Sequence, residues 1–259
     1  MVDASALIEG AFFALPVLVV GLLLAGLVWS ARVRRGTLLV PGLDGGSSAS
    51  PPPRPLRAGI VAIVWLALSA AAALAGRLSF TTVPPTMMLA VVIGIGLALS
   101  LGLSHAGERL AATVPLAALV GSQAFRFPLE LAMHRAMSEG LMPVQMSYSG
   151  LNFDILTGLS ALLLGFVLAV RNVDYRIVRA WNAIGFLLLV NIVTIAVLST
   201  PLFRVFDSEP PNTWIVSFPY VWLPTILVPA ALLGHVLVWR RLRLEMTGIM
   251  EPDHRPRPA

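Results

Sequence analysis

Long apolar stretches recur along the chain, and they limit its fold more than any other feature. The first, AFFALPVLVVGLLLAGLVWS, covers residues 11–30 without a charged side chain. A bilayer core about 30 Å thick needs roughly 20 mostly apolar residues for each helix that crosses it. Transmembrane β-strands would alternate apolar and polar residues, whereas these stretches are continuously apolar. The sequence therefore predicts an all-α, multi-pass membrane protein.

Seven such stretches predict a bundle of about seven transmembrane helices in a single domain, residues 1–259. Most arginines in the connecting segments fall on one side of this arrangement, which is the side that faces the cytoplasm in most membrane proteins. We therefore expect the N-terminus outside and the C-terminus inside. Prolines predict kinks in the fourth and seventh helices. The predicted spans are residues 11–30, 58–76, 86–104, 113–139, 155–170, 180–199 and 214–239.

Two polar segments interrupt or follow the apolar stretches. Residues 40–55, VPGLDGGSSASPPPRP, are rich in Gly, Ser and Pro and predict a flexible cytoplasmic linker. Residues 246–259 predict a disordered cytoplasmic tail.

Within the third span, Gly94, Ala98 and Gly102 recur at intervals of four, a stripe of small residues that lets another helix approach closely.

Residue types missing from the sequence exclude several functions. The chain has no cysteine, so it cannot form a disulfide, a thiolate metal site or an iron–sulfur cluster. All 18 basic residues are arginine, so no lysine can form a retinal Schiff base. The net charge of +5 could suggest nucleic acid, but the arginines lie at the ends of apolar stretches, where they face lipid headgroups. We expect the lipid bilayer, and not nucleic acid, as the partner.

The fourth span carries a stripe of polar side chains. Gln123, Arg126, Glu130 and His134 are separated by three or four residues, so they share one face of a helix. Intramembrane ionisable residues usually face the interior of the bundle, because an unpaired charge in hydrocarbon costs several kcal/mol. Arg126 and Glu130, one turn apart, are expected to pair with each other. The stripe predicts an inward-facing pocket, with a purely structural ion-pair network as the alternative.

The segment after this span supplies further pocket candidates. Asp154 either caps the fifth helix or turns inward with Asn152 to join Glu130 and His134 in a pocket that opens to the outer face. Tyr220 is a candidate for the lining of the same pocket, although an interfacial aromatic belt would explain it as well. Glu130, His134 and Asp154 are weak candidates for binding a divalent metal, since their spacing matches no known metal motif.

Two histidines lie nearer the predicted inner face. His105 and His235 occur at similar depths and could in principle bind haem axially. Hydrogen bonds to carbonyls or contact with headgroups are the favoured roles, so the sequence does not favour a haem protein.

These observations leave three functions open. The first is a proton- or cation-linked permease for a small solute, with Glu130 as the protonation or cation site, His134 as relay or gate, and Arg126 as counter-charge. The second is a membrane-embedded, metal-dependent enzyme that acts on a lipid or lipid-linked substrate at the outer leaflet. The third is a structural subunit of a membrane complex, and a homo-oligomer is compatible with each. Arginine-only basic usage with abundant Ala, Gly and Pro favours a bacterial inner membrane protein.

Overall fold

The computed structural model describes residues 4–33, 55–206 and 210–247. All regular structure in these ranges is helical, and they contain no strand. Short 3-10 turns and one π-helical segment, Leu223–Leu227, join the α-helices. The α-helices are α1 (Ala4–Arg32), α2 (Pro55–Leu74), α3 (Thr86–Leu103), α4 (His105–Thr113), α5 (Leu116–Gly121), α6 (Arg126–Ser138), α7 (Ile155–Val170), α8 (Tyr175–Leu198) and α9 (Val228–Met246).

Five helical segments in the described ranges are long and apolar enough to cross a membrane. They are α1, α2, α3, α8, and α9 together with the π-helical segment. The bent pair of α4 with α5 and α6 brings the number to six if it is one span. At 16 residues, α7 is apolar but shorter than the roughly 20 residues that a crossing helix needs. The chain is thus a membrane-embedded helical protein with five or six candidate spans, and the seven-span arrangement stays a prediction.

The fourth predicted span, residues 113–139, is not a continuous helix. α4 meets the segment from Leu116 to Ser138 at an angle of 109°, with Pro115 at the bend. A 3-10 turn, Ser122–Phe125, then separates α5 from α6. In the last predicted span, the π-helical segment precedes α9 and includes Pro224. Both regions in which prolines predicted kinks therefore depart from regular α geometry.

Most of α9 is buried within the protein, and it packs against α3, α4 and α8. The stripe of Gly94, Ala98 and Gly102 is buried along α3, as close helix approach requires. A Cβ added at Gly94 would lie 2.9 Å from the Thr225 carbonyl oxygen, and one at Gly102 would lie 2.9 Å from Val236. The small residues therefore let α3 pack closely against the last predicted span.

The connection between α6 and α7 folds back against the bundle. α6 is followed by Gly140, whose φ of +73° is the left-handed conformation that glycine adopts without strain. The amides of Gly140 and Leu141 donate to the carbonyls of Met137 and Ala136, which completes a Schellman motif. Near the end of the connection, the Asn152 side-chain oxygen accepts a hydrogen bond from the Asp154 amide. This local bond fixes the backbone where the chain enters α7.

The predicted linker and tail fall almost entirely outside the described residues. Only Pro55 of the linker, at the start of α2, and Met246 and Thr247 of the tail region are described.

Candidate functional site

A buried ion pair joins the start of α6 to the residue before α7. Arg126 is only 1% exposed, and both Nε and Nη2 donate to the Asp154 carboxylate, with Nε 2.6 Å from Oδ2. Two parallel bonds between a guanidinium and a carboxylate are the strongest ion-pair geometry in proteins. Asp154 turns inward and makes no side-chain capping bond to α7. The predicted pairing of Arg126 with Glu130 is wrong, because Asp154 takes the guanidinium instead.

His235 and Asn182 extend this ion pair to α9 and α8. Arg126 Nη1 lies 2.8 Å from His235 Nε2. Since a guanidinium has only donors, Nε2 accepts this bond, and the neutral ring then donates from Nδ1 to Asn182 Oδ1 at 2.9 Å. Asn182 Nδ2 donates in return to the His235 carbonyl oxygen at 3.1 Å. Arg126 thus contacts Asp154 and His235 directly, and His235 links it to Asn182 of α8.

Two glycines allow the helices to approach Arg126 so closely. A Cβ at Gly158 of α7 would collide with the backbone of Arg126 and Phe127. A Cβ at Gly185 of α8 would lie 2.9 Å from His235 Cε1, and the Gly185 carbonyl oxygen accepts from Arg126 Nη2 at 3.4 Å. The close packing around the guanidinium therefore depends on glycine at both positions.

Glu130, one turn after Arg126, is equally buried but only lightly bonded. Its Oε2 accepts a hydrogen bond from Asn152 Nδ2 at 2.7 Å, and Nδ2 also donates to the Met146 carbonyl oxygen at 2.9 Å. Within the described ranges, Glu130 forms no ion pair, and its Oε1 makes no hydrogen bond. Glu130 is therefore a buried carboxyl group with one hydrogen-bond donor, Asn152, among the described residues.

A cavity of about 70 Å³ lies beside these carboxyl groups. Arg126, Glu130 and Asp154 are the charged residues that line it, and the rest of its wall is mainly apolar, from α3, α6, α8 and α9. This volume suits a few water molecules or a very small solute. The arrangement brings a lightly bonded acid to a small intramembrane cavity, with a neutralised ion pair on the same wall.

His134 lies in a separate polar group. Its Nδ1 is 2.9 Å from Ser147 Oγ and 3.5 Å from Ser149 Oγ, and its ring stacks on Tyr148 with centroids 4.3 Å apart. It does not line the cavity of Glu130. The predicted grouping of Glu130, Asp154 and His134 therefore holds only for the two carboxylates.

The two remaining candidates, Gln123 and Tyr220, make packing or backbone contacts and do not bind the ion pair. Gln123 is buried, donates from Nε2 to the Ala231 carbonyl at 3.4 Å, and packs against Gly234. Tyr220 packs its ring against Phe12 and Trp214 and does not line the cavity.

No group of three or more His, Cys, Asp or Glu side chains in the described ranges could hold a metal ion. Both ring nitrogens of His235 contact Arg126 or Asn182, while the His105 side chain is 86% exposed. A shared haem between the two histidines is inconsistent with this geometry, because His235 has no nitrogen left for iron.

The sequence did not predict that His235 and Asn182 would join the fourth span. His235 was expected to contact a carbonyl or headgroups. His235 and Asn182 are, however, polar residues within apolar stretches, and such intramembrane side chains usually hydrogen-bond to one another. This feature of the sequence could have indicated the contact.

Comparison with known proteins assigns the chain to a family. No curated protein and no solved structure matches the chain. A family model described as "Domain of unknown function (DUF8737)" matches residues 83–243. The matched residues extend from just before α3 into α9 and include Arg126, Glu130, Asp154 and His235. Since they form more than half of the sequence, the chain belongs to the DUF8737 family.

Proposed function

We propose that the protein is a proton- or cation-linked permease for a small solute, with Glu130 as the site that binds the proton or cation. One observation carries this proposal: Glu130 is a buried carboxyl group on a cavity wall, without an ion-pair partner among the described residues. Ionisable groups within membranes are costly and are typical of ion pathways and proton relays.

The charges around the cavity support this role. Arg126 and Asp154 neutralise each other, and the hydrogen bonding of His235 is that of a neutral ring. An ionised Glu130 therefore leaves one uncompensated negative charge in the cluster. A proton or a monovalent cation at Oε1 would remove this charge, while Asn152 continues to hold Oε2.

His134 is the next polar group along α6. It follows Glu130 by four residues, a rise of about 6 Å along the helix axis. Its bonds to Ser147 and Ser149 lead to the connection between α6 and α7. We assign His134 the role of relay between Glu130 and this end of α6, and we assign Arg126 the role of counter-charge.

The proposal includes the topology expected from the sequence. Seven spans, with α7 as the fifth, would place the N-terminus outside and the C-terminus inside, and the cavity would open to the outer face. A bacterial inner membrane is the proposed location. The close approach of α7 to α6 at Gly158 supports its placement within the bundle, although α7 is short.

Proton flux into liposomes tests the proposal. Purified protein is reconstituted with a pH-sensitive dye inside, and a potassium diffusion potential drives protons inward, with and without glycerol, urea or glycine outside. We expect flux in the wild type and loss of flux in Glu130→Gln. Glu139→Gln is the matched control, because Glu139 directly follows the same helix, α6, but pairs with Arg135 at the surface.

Equal flux for the wild type, Glu130→Gln and protein-free liposomes, under every condition, would contradict the proposal. Infrared difference spectra on a pH jump provide a second measurement. They should contain a carboxyl band that is lost in Glu130→Gln and kept in Glu139→Gln.

The enzyme alternative rests on the second polar group. His134, Ser147 and Tyr148 form a hydrogen-bonded and stacked cluster that could contact a lipid-linked substrate. Elemental analysis of wild type and a Glu130→Gln/His134→Ala double variant separates the two functions. A stoichiometric metal that the double variant loses would favour the enzyme, whereas proton flux through Glu130 without such a metal would favour the permease.

A further inference from the structure

A second and much larger space lies elsewhere in the bundle. It is a crevice of about 770 Å³ between α1, α2, α3, α5 and α9. Its volume is in the range of sites that bind molecules of several hundred daltons. The side chains along its mouth include Leu22 and Val61, which are 48% and 46% exposed. The crevice therefore opens toward the surroundings of the helices, which for this protein means the bilayer.

The length of the crevice corresponds to one leaflet. Its α1 wall runs from Val19 to Trp29 and its α2 wall from Arg57 to Trp65, which are rises of about 15 Å and 12 Å. Half of a hydrocarbon core about 30 Å thick is the same length. A lipid acyl chain lying along the helices would thus fill the crevice from end to end.

The two ends of the crevice differ in polarity. Leu24 of α1 packs at Gly59 of α2, so Trp29 and Arg57 lie at the same end. Arg57 is exposed and is the one charged residue that lines the crevice in the described ranges. At the opposite end, Trp65 donates from Nε1 to the Thr225 carbonyl at 3.0 Å, which leaves its apolar ring toward the crevice.

Arginine and tryptophan together are typical of the interface between membrane and water. The Trp29 indole is already anchored there, since it donates to the Thr113 carbonyl at 3.1 Å. The Arg57 guanidinium, by contrast, has no ion pair among the described residues and places a positive charge at one end of the apolar crevice. An anionic headgroup attached to an alkyl chain matches both features.

We propose that this crevice binds an anionic phospholipid, with one acyl chain between α1, α2, α3 and α9 and the phosphate at Arg57. The site is distinct from the cavity of Glu130, and it assigns Arg57 and the crevice a role that the proposed transport function does not require.

Native mass spectrometry of the full chain tests the proposal. The detergent-purified protein is titrated with dioleoylphosphatidylglycerol and, separately, with zwitterionic dioleoylphosphatidylcholine. We expect the wild type to prefer the anionic lipid, and Arg57→Gln to reduce this preference about fivefold, the effect of one arginine near a headgroup. Arg176→Gln is the control, because Arg176 is exposed at the start of α8 and does not line the crevice.

A second variant tests the acyl-chain slot. Ala118 is exposed and lines the crevice, so Ala118→Trp fills the slot without displacing a buried side chain. It should reduce binding of both lipids, while gel filtration and thermal unfolding remain as in the wild type. The proposal is overturned if Ala118→Trp binds lipid as the wild type does, or if Arg57→Gln keeps the full preference. It is also overturned if Ala118→Trp changes only the oligomeric state, because a second copy of the chain would then cover the crevice.

Discussion

Replacing Asp154 with asparagine should strongly destabilise the protein, because it removes the carboxylate that pairs with Arg126. The two side chains are 1% and 5% exposed, so bulk water does not replace the lost partner. Breaking a buried ion pair by removing one partner costs about 3–5 kcal/mol. Since His235 and the Gly185 carbonyl still accept from Arg126, we expect the lower end, about 3 kcal/mol.

The matched control is an exposed ion pair on the same helix. Arg135 and Glu139 are 56% and 41% exposed and lie 2.7 Å apart. Exposed pairs contribute about 0–1 kcal/mol, so Glu139→Gln should change the free energy of unfolding by no more than this. Both variants can be measured by reversible unfolding in mixed micelles, followed by tryptophan fluorescence.

A double variant separates the lost pair from the lost packing. Arg126→Met with Asp154→Leu removes both charges and keeps apolar volume, so it should cost less than Asp154→Asn alone. The reasoning is refuted if Asp154→Asn and Glu139→Gln lower the free energy of unfolding equally. It is also refuted if the double variant lowers the free energy of unfolding by the sum of the losses in Arg126→Met and Asp154→Leu measured separately. The two charges would then contribute independently.

Substitutions at three further contacts provide additional tests. Asn152→Leu should lower the free energy of unfolding by about 1–3 kcal/mol, because it removes the one hydrogen bond of buried Glu130. A rise in thermal stability would contradict the role of this bond. Gly158→Ala should abolish the native gel-filtration peak or lower the melting temperature sharply, whereas Gly96→Ala, with open space around its added methyl group, should be neutral or slightly stabilising. Ser104→Ala should cost about 1 kcal/mol in chemical denaturation, since the Ser104 hydroxyl caps α4; no change would show that the cap is dispensable.

The sequence predicts the fold class well because apolar stretches of membrane length leave few alternatives. It also predicts that Gln123, Arg126 and Glu130 turn inward, since helical periodicity and the cost of buried charge act locally. Its prolines predict a kink in the fourth span, but not the 109° angle at Pro115 or the 3-10 turn before Arg126, because both depend on how α4, α7 and α9 pack around them. An apolar stretch looks the same in the sequence whether the helix that it forms is continuous or broken.

The partners of Arg126 illustrate the same limit. Periodicity places Glu130 one turn away, yet the guanidinium binds Asp154, 28 residues later, and His235, 109 residues later. Which of several acids an arginine meets is decided by helix packing, and here by the glycines at 158 and 185. These distant contacts leave no signal in the spacing of a single sequence.

The separation of Arg126 from its partners has a consequence for how the chain enters the membrane during synthesis. At about 5–20 residues per second, the 109 residues between Arg126 and His235 take about 5–22 s to translate. Asp154 follows Arg126 by only 28 residues, but His235 completes the contacts of the guanidinium only after this time. Until these contacts form, α6 carries an arginine whose insertion into hydrocarbon is unfavourable by about 2.5–3.5 kcal/mol. We therefore expect α6 to be retained at the translocation channel and to leave it together with α9, so that a ribosome stalled before His235 would hold the chain in the channel.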